Sequence, residues 1–194
     1  YILNQNPWDA DDDTNIEYVY CHLLQKHQTT MLTPQQIRQG WIDHINRYIW
    51  VSNETIRGLF NQGILPPATS FPAVNGNALM IDAQLTTEVF GALAPGMPHK
   101  ALEMANLPIL TTAFGHAAHA SQFHVILYSL AMLVDTTRSP ADQMIWLVRE
   151  ARKYFPDSSK VSHMIDFVLN DYLTNTNKAN WERTRDRIHQ QYQA

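Results

Sequence analysis

Apolar residues recur along most of this chain at the three- to four-residue spacing of a helix face. Between Thr14 and Gln28 they stand at Ile16, Val19, Tyr20, Leu23 and Leu24, and Thr14-x-x-Glu17 reads as a capping box at the head of that helix. Thr33-Pro34-Gln35-Gln36 is a second start signal: a cap, a proline at the first helical position and a glutamine at the box position. The helix it opens is expected to run to about Trp50, with Ile37, Trp41, Ile45, Tyr48 and Ile49 facing inward. Ser52 is placed to cap a shorter helix that stops at Gly63. The prolines and glycine of residues 64–77 predict a structured loop.

Downstream the spacing predicts a helix over 78–93, broken by Pro95-Gly96, and a short one over 100–105. A long, mostly buried helix is expected over 111–134. Ser139-Pro140 opens another that ends near Phe155-Pro156, and two more are expected over 159–173 and 178–193. No strand-like alternation, internal repeat or low-complexity tract is visible. The expected architecture is one all-α domain over residues 1–194, an orthogonal multi-helix bundle.

Composition narrows the function classes. A 45% hydrophobic chain of 194 residues is a folded one. The net charge of −4 leaves no basic footprint, so a nucleic-acid partner is not expected. The longest apolar region, 123–134, is too short to span a bilayer, so no membrane partner is expected either. Cys21 stands alone, which excludes an internal disulfide and a cysteine zinc site. With no signal segment visible at Tyr1 the compartment is open, and the cytoplasm is the expectation.

Against a chain only 16% charged, three consecutive aspartates, Asp11, Asp12 and Asp13, need a cause. One carboxylate caps a helix, and its N-terminal dipole favours negative charge by about 0.3–1 kcal/mol. Adjacent like charges oppose this by about 1 kcal/mol or more per close pair, depending on the local dielectric. A divalent cation relieves that repulsion, and Mg²⁺ prefers such hard oxygen donors. These residues, in the stretch Trp8-Asp9-Ala10-Asp11-Asp12-Asp13-Thr14, resemble the first metal motif, W-T-D-D-T, of the ADP-ribosylglycohydrolases. The stretch 81–98, ending in Pro95-Gly96-Met97-Pro98, is similar to a helix and Pro-Gly turn in a divergent branch of that family. The resemblance covers most of residues 8–155.

The resemblance implies an all-α domain holding two Mg²⁺ ions, with Asp11, Asp12 and Asp13 among the metal ligands and Asp11 standing where the family has threonine. It implies a Mg²⁺-dependent hydrolase that cleaves an N- or O-glycosidic ADP-ribosyl bond in an ADP-ribosylated substrate or related small molecule. The family's second metal motif, Asp-x-Asp-Thr, and its Gly-rich N-terminal segment have no match here, so the chain is expected to be a fragment of the domain, incomplete for catalysis alone. Two alternatives stand beside this: a non-catalytic binding or scaffold member of the fold, and a hydrolase of another N-glycoside such as a nucleoside.

The alignment on Pro95-Gly96 puts Asp82 and Gln84 on the substrate side, with Glu88 one turn beyond Gln84. His116 and His119, three apart on the expected long helix with His124 further along, are candidates for substrate contact and line the site wall. Asp82, Gln84 and one of His116 or His119 are therefore expected to share a cleft with Asp12. Trp41 and Trp50 are expected in the core. Asn53-Glu54-Thr55 is a formal glycosylation sequon, meaningful only in a secreted chain.

Overall fold

The computed structural model describes residues 11–47 and 49–192. Trp8, Asp9 and Ala10 of the motif stretch, Tyr48, which was expected to face inward, and Gln193 lie outside the described residues. The protein is all-α: helix accounts for 68% of it, and there is no strand among the described residues. The chain forms two compact units, Tyr1–Met132 and Leu133–Ala194.

The first unit holds α1 (Asp12–His27), α2 (Pro34–His44), α3 (Val51–Asn61), a 3₁₀ turn at Ala68–Ser70, α4 (Asp82–Thr86), α5 (Val89–Leu93), α6 (Pro98–Thr112) and α7 (Gly115–Ala131). The expected capping box of α2 forms: Thr33 Oγ1 accepts from the Gln36 amide, and Gln36 Oε1 accepts from the Thr33 amide. Glycine 63, at φ 82°, ends the α3 segment in the left-handed region. The apolar faces meet in one core in which Ile16, Tyr20, Leu23, Ile37, Trp41 and Phe60 are all but fully buried. Trp41 meets Phe60 edge-on at 5.7 Å and Tyr20 meets Phe90 at 5.5 Å. The Trp41 indole N–H donates to the Tyr20 hydroxyl at 3.3 Å, and burial pushes that phenol up to about 12.

Three sequence expectations are corrected. Helix α1 is capped by Asp11, whose carboxylate accepts from the Thr14 amide at 2.9 Å. Glu17 does not close a capping box; its carboxylate accepts from the Val89 amide, 72 residues away, at 2.8 Å. Residues 78–93 form two short helices rather than one. The hydroxyls of Thr86 and Thr87 donate back to the carbonyls of Asp82 and Ala83, a bonding pattern that bends helices, and the break falls there. The helix expected over 111–134 begins only at Gly115. The carbonyl of Thr112 accepts from the Asn75 side chain, the Phe114 amide donates to Ala78, and Gly115 takes φ 57°. The upstream residues join α6 instead, which carries Pro108 internally.

Three smaller differences concern α3 and its surroundings. Ser52 is buried inside α3, and Trp50 occupies the cap position without a side-chain bond. Trp50 is exposed, unlike the buried Trp41. Asn53 is fully buried, so the sequon offers no accessible acceptor.

The second unit holds α8 (Pro140–Arg152), α9 (Lys160–Thr174) and α10 (Trp181–Tyr192). Ser139 and Ser159 cap the first two through their hydroxyls. Arg152 grips both carboxylate oxygens of Asp166 at 3.0 and 2.9 Å. The fully buried Asp171 of α9 draws α10 in. Its Oδ2 accepts from the Thr184 hydroxyl, and its Oδ1 meets the guanidinium groups of Arg187 and Arg183 as an ion pair rather than through an aligned hydrogen bond.

Candidate acidic site of the first unit

The site is built where the N-terminus of α1 meets the α4–α5 corner and the side of α7. Asp12 and Asp13 occupy the first turn of α1, and Asp11 caps it. Glu17 follows Asp13 by four residues, which puts both on one helix face. Asp82 opens α4, and Glu88 sits at the head of α5. The Glu17–Val89 bond holds the head of α5 to α1 and so keeps Glu88 near the triplet. On the other side Gly91 permits the approach of α7: a Cβ there would lie 2.3 Å from the Val125 carbonyl oxygen and 2.6 Å from the Tyr128 Cβ.

The electrostatics of the cluster are self-repulsive. Burial first, then the charges of Asp12, Asp11, Asp82 and Glu88, push Asp13 up to about 6. Burial also raises Glu17, with Glu88, Asp13 and Asp11 adding to it, against the lowering effect of the Val89 amide. Asp11 goes the other way, held below the ordinary carboxylate range by its hydrogen bonds from Thr14. Asp11 is thus committed to the cap, which leaves Asp12 and Asp13 as the carboxylates of the triplet available to a ligand. None of the six carboxylates has an ion pair with Lys or Arg among the described residues. The arginines Arg38 and Arg57 of this unit bond backbone carbonyls instead.

Helix α7 reaches the cluster through His124 and Tyr128, one turn apart. Burial lowers the His124 imidazole, and Glu88 opposes that. Partial burial and the Glu88 carboxylate, which accepts from the phenol, hold Tyr128 above its ordinary value. Of the residues chosen from sequence, Asp82 joins Asp13 electrostatically. Gln84 is half-buried two residues along α4. His116 is exposed and His119 half-buried in the first two turns of α7. At 1.5 Å rise per residue they precede His124 by about 12 and 7.5 Å along the axis. Glu17 and Tyr128 were missed. The i, i+4 pair Asp13/Glu17 was a readable signal, because like charges on one face of a capped helix repel.

The donors are of the hard type: half-buried carboxylate oxygens with no positive side chain paired to them among the described residues. Among the described residues no three His, Cys, Asp or Glu side chains converge as a preformed metal group. No helix among the described residues is long and apolar enough to cross a membrane. In comparison with known proteins, no family model, no curated protein and no solved structure matches the chain.

Proposed function

We propose that the first unit carries the acidic half of a Mg²⁺-dependent hydrolase of the ADP-ribosylglycohydrolase type, which cleaves an ADP-ribosyl glycosidic bond. The observation that carries this reading is the gathering of Asp13, Glu17, Asp82 and Glu88 from three separate segments, mutually repulsive and with no ion-paired Lys or Arg among the described residues. A fold tolerates such a cluster where a cation offsets it. Asp12 and Asp13 would hold the metal, two ions being what the resemblance implies. When bound, Mg²⁺ supplies charge stabilisation and lowers the pKa of a coordinated water.

The remaining work falls to side chains of this chain. Glu17 is held in place by the Val89 amide, and the Glu88 carboxyl at the head of α5 would stand beside the place where an oxocarbenium-like sugar develops positive charge. Carboxyls raised toward neutrality suit proton transfer to a leaving group, and Glu17 is the raised carboxyl outside the ligand triplet. Asp82 and Gln84 would contact the sugar or phosphate, with His116 and His119 further along α7.

The test is product analysis of the full-length protein with Mg²⁺ or EDTA, using an ADP-ribosylated protein and free nucleosides as substrates. Mg²⁺-dependent release of ADP-ribose, lost in Asp12→Ala and Asp13→Ala, supports the proposal. Release of free base from nucleosides instead supports the N-glycoside alternative. The absence of a three-donor group among the described residues favours the second reading, a binding or scaffold protein, which predicts ligand binding without turnover.

A further inference from the structure

Beside the acidic cluster lies a second feature that hydrolysis does not use. Phe71, Val74, Leu79, Met80, Ile81 and Phe114 are all 40–59% exposed. They form one surface. The Phe71 and Phe114 rings meet edge-on at 5.9 Å, the Phe114 amide donates to Ala78, and the Val74 amide donates to Phe71. Asn75, buried and bonded to the Thr112 carbonyl, pins the loop beneath them. The apolar run ends at Ile81, and the next residue is Asp82 of the acidic cluster. A contiguous exposed apolar surface of this kind marks an interaction site.

Charge decides what fits it. Residues 1–132 hold five Lys and Arg against ten Asp and Glu, a net charge of −5, whereas 133–194 hold nine against eight. An anionic lipid surface or a nucleic acid would meet repulsion at the acidic edge. A second copy would bring a unit of the same net negative charge against this one. A partner with apolar side chains flanked by lysine or arginine satisfies both halves.

We propose that the ridge from Phe71 to Ile81, with Phe114, is the docking surface for a basic, amphipathic segment of another protein, whose cationic residues face Asp82 and Asp12–Asp13. Its apolar side chains cover the Leu79–Ile81 run. The interaction needs neither Mg²⁺ nor turnover, so it stands or falls separately from the proposed hydrolysis.

The experiment is fluorescence anisotropy of labelled synthetic peptides with the full chain in EDTA, at physiological salt. One peptide is an amphipathic Leu/Lys sequence, a second replaces Lys by Glu, and a third replaces Leu by Ser. Saturable binding of the Leu/Lys peptide alone is expected, weakened about tenfold or more by Leu79→Ser with Ile81→Ser and severalfold by Asp82→Asn. Leu79 and Ile81 are exposed and Asp82 is half-buried, and an unchanged circular dichroism spectrum verifies the fold of each variant. Equal affinity for the Leu/Glu peptide, undiminished binding by the Leu79/Ile81 variant, or no binding at all overturns the proposal. So does a wild-type dimer in sedimentation that the same double variant dissociates, because the occupant is then a second copy.

Discussion

Replacing Asp13 by asparagine removes one charge from the centre of the repulsive cluster and keeps the side chain's size. The wild-type carboxyl lies at about 6 in the folded chain against an ordinary 3.8, so folding favours its protonated form. Its contribution to stability is therefore fully present below about pH 4 and is lost as pH rises through about 6. At full strength that interval is worth about 3 kcal/mol. Much of the carboxyl still faces water, and screening at such a site reduces the expected penalty at neutral pH to ~1 kcal/mol. Asp13→Asn should accordingly stabilise the first unit by about 1 kcal/mol at pH 7.5 and change it little at pH 4. Hydrogen exchange of the α1 and α7 amides across a urea series, corrected for intrinsic rates, reports this unit without the second one. Excess Mg²⁺ should reverse the order at pH 7.5, since only the wild type gains from binding. Equal destabilisation of Asp13→Asn at both pH values would refute the reasoning, because Asp13 would then be a structural hydrogen-bonding residue and not a frustrated charge.

Other substitutions test the frame around the site. Gly91→Ala places a methyl group against the Val125 carbonyl and Tyr128 and should cost about 1–3 kcal/mol, read as a lowered urea midpoint of the first unit. Thr33→Ala removes the capping box of α2 and should cost about 1 kcal/mol, with faster exchange of the first α2 amides. Asp171→Asn breaks the buried ion pair of the second unit. Arg183 and Arg187 remain 45% and 44% exposed and can turn to water, so the cost should be about 1–2 kcal/mol, confined to exchange in α9 and α10.

The helices with strong local signals were legible in the sequence. The Thr33-Pro34 start of α2, the Ser139 and Ser159 starts of α8 and α9, and the Gly63 stop are local chemistry, and the structure keeps them. The break at 113–114 was not legible, because contacts remote in sequence enforce it, and the break within 78–93 joins the local back-bonds of Thr86 and Thr87 to one remote contact. Glu17 takes the Val89 amide across 72 residues, and Asn75 takes the Thr112 carbonyl across 37. The same long-range bond explains why Glu17 read as a local cap. The charge of Asp82 acts on Asp13, and the α7 residues that reach Glu88 are His124 and Tyr128. Breaking the helix at Phe114 and starting α7 at Gly115 sets which turns of α7 face α5, and no periodicity argument contains that information.

The central claim is that the aspartate run is a cation site and not merely a helix cap, and isothermal titration of the full chain with Mg²⁺ tests it most directly. Binding near the millimolar range is expected, about −4 kcal/mol, as suits one or two carboxylates with water completing the shell. Asp12→Ala and Asp13→Ala should each weaken it strongly, whereas Asp11→Ala should cost α1 stability and leave affinity nearly unchanged, since that carboxylate is held by the Thr14 amide. Undiminished affinity in the Asp12→Ala/Asp13→Ala double variant, or no Mg²⁺ binding by the wild type, would contradict the claim and leave the triplet as a helix cap.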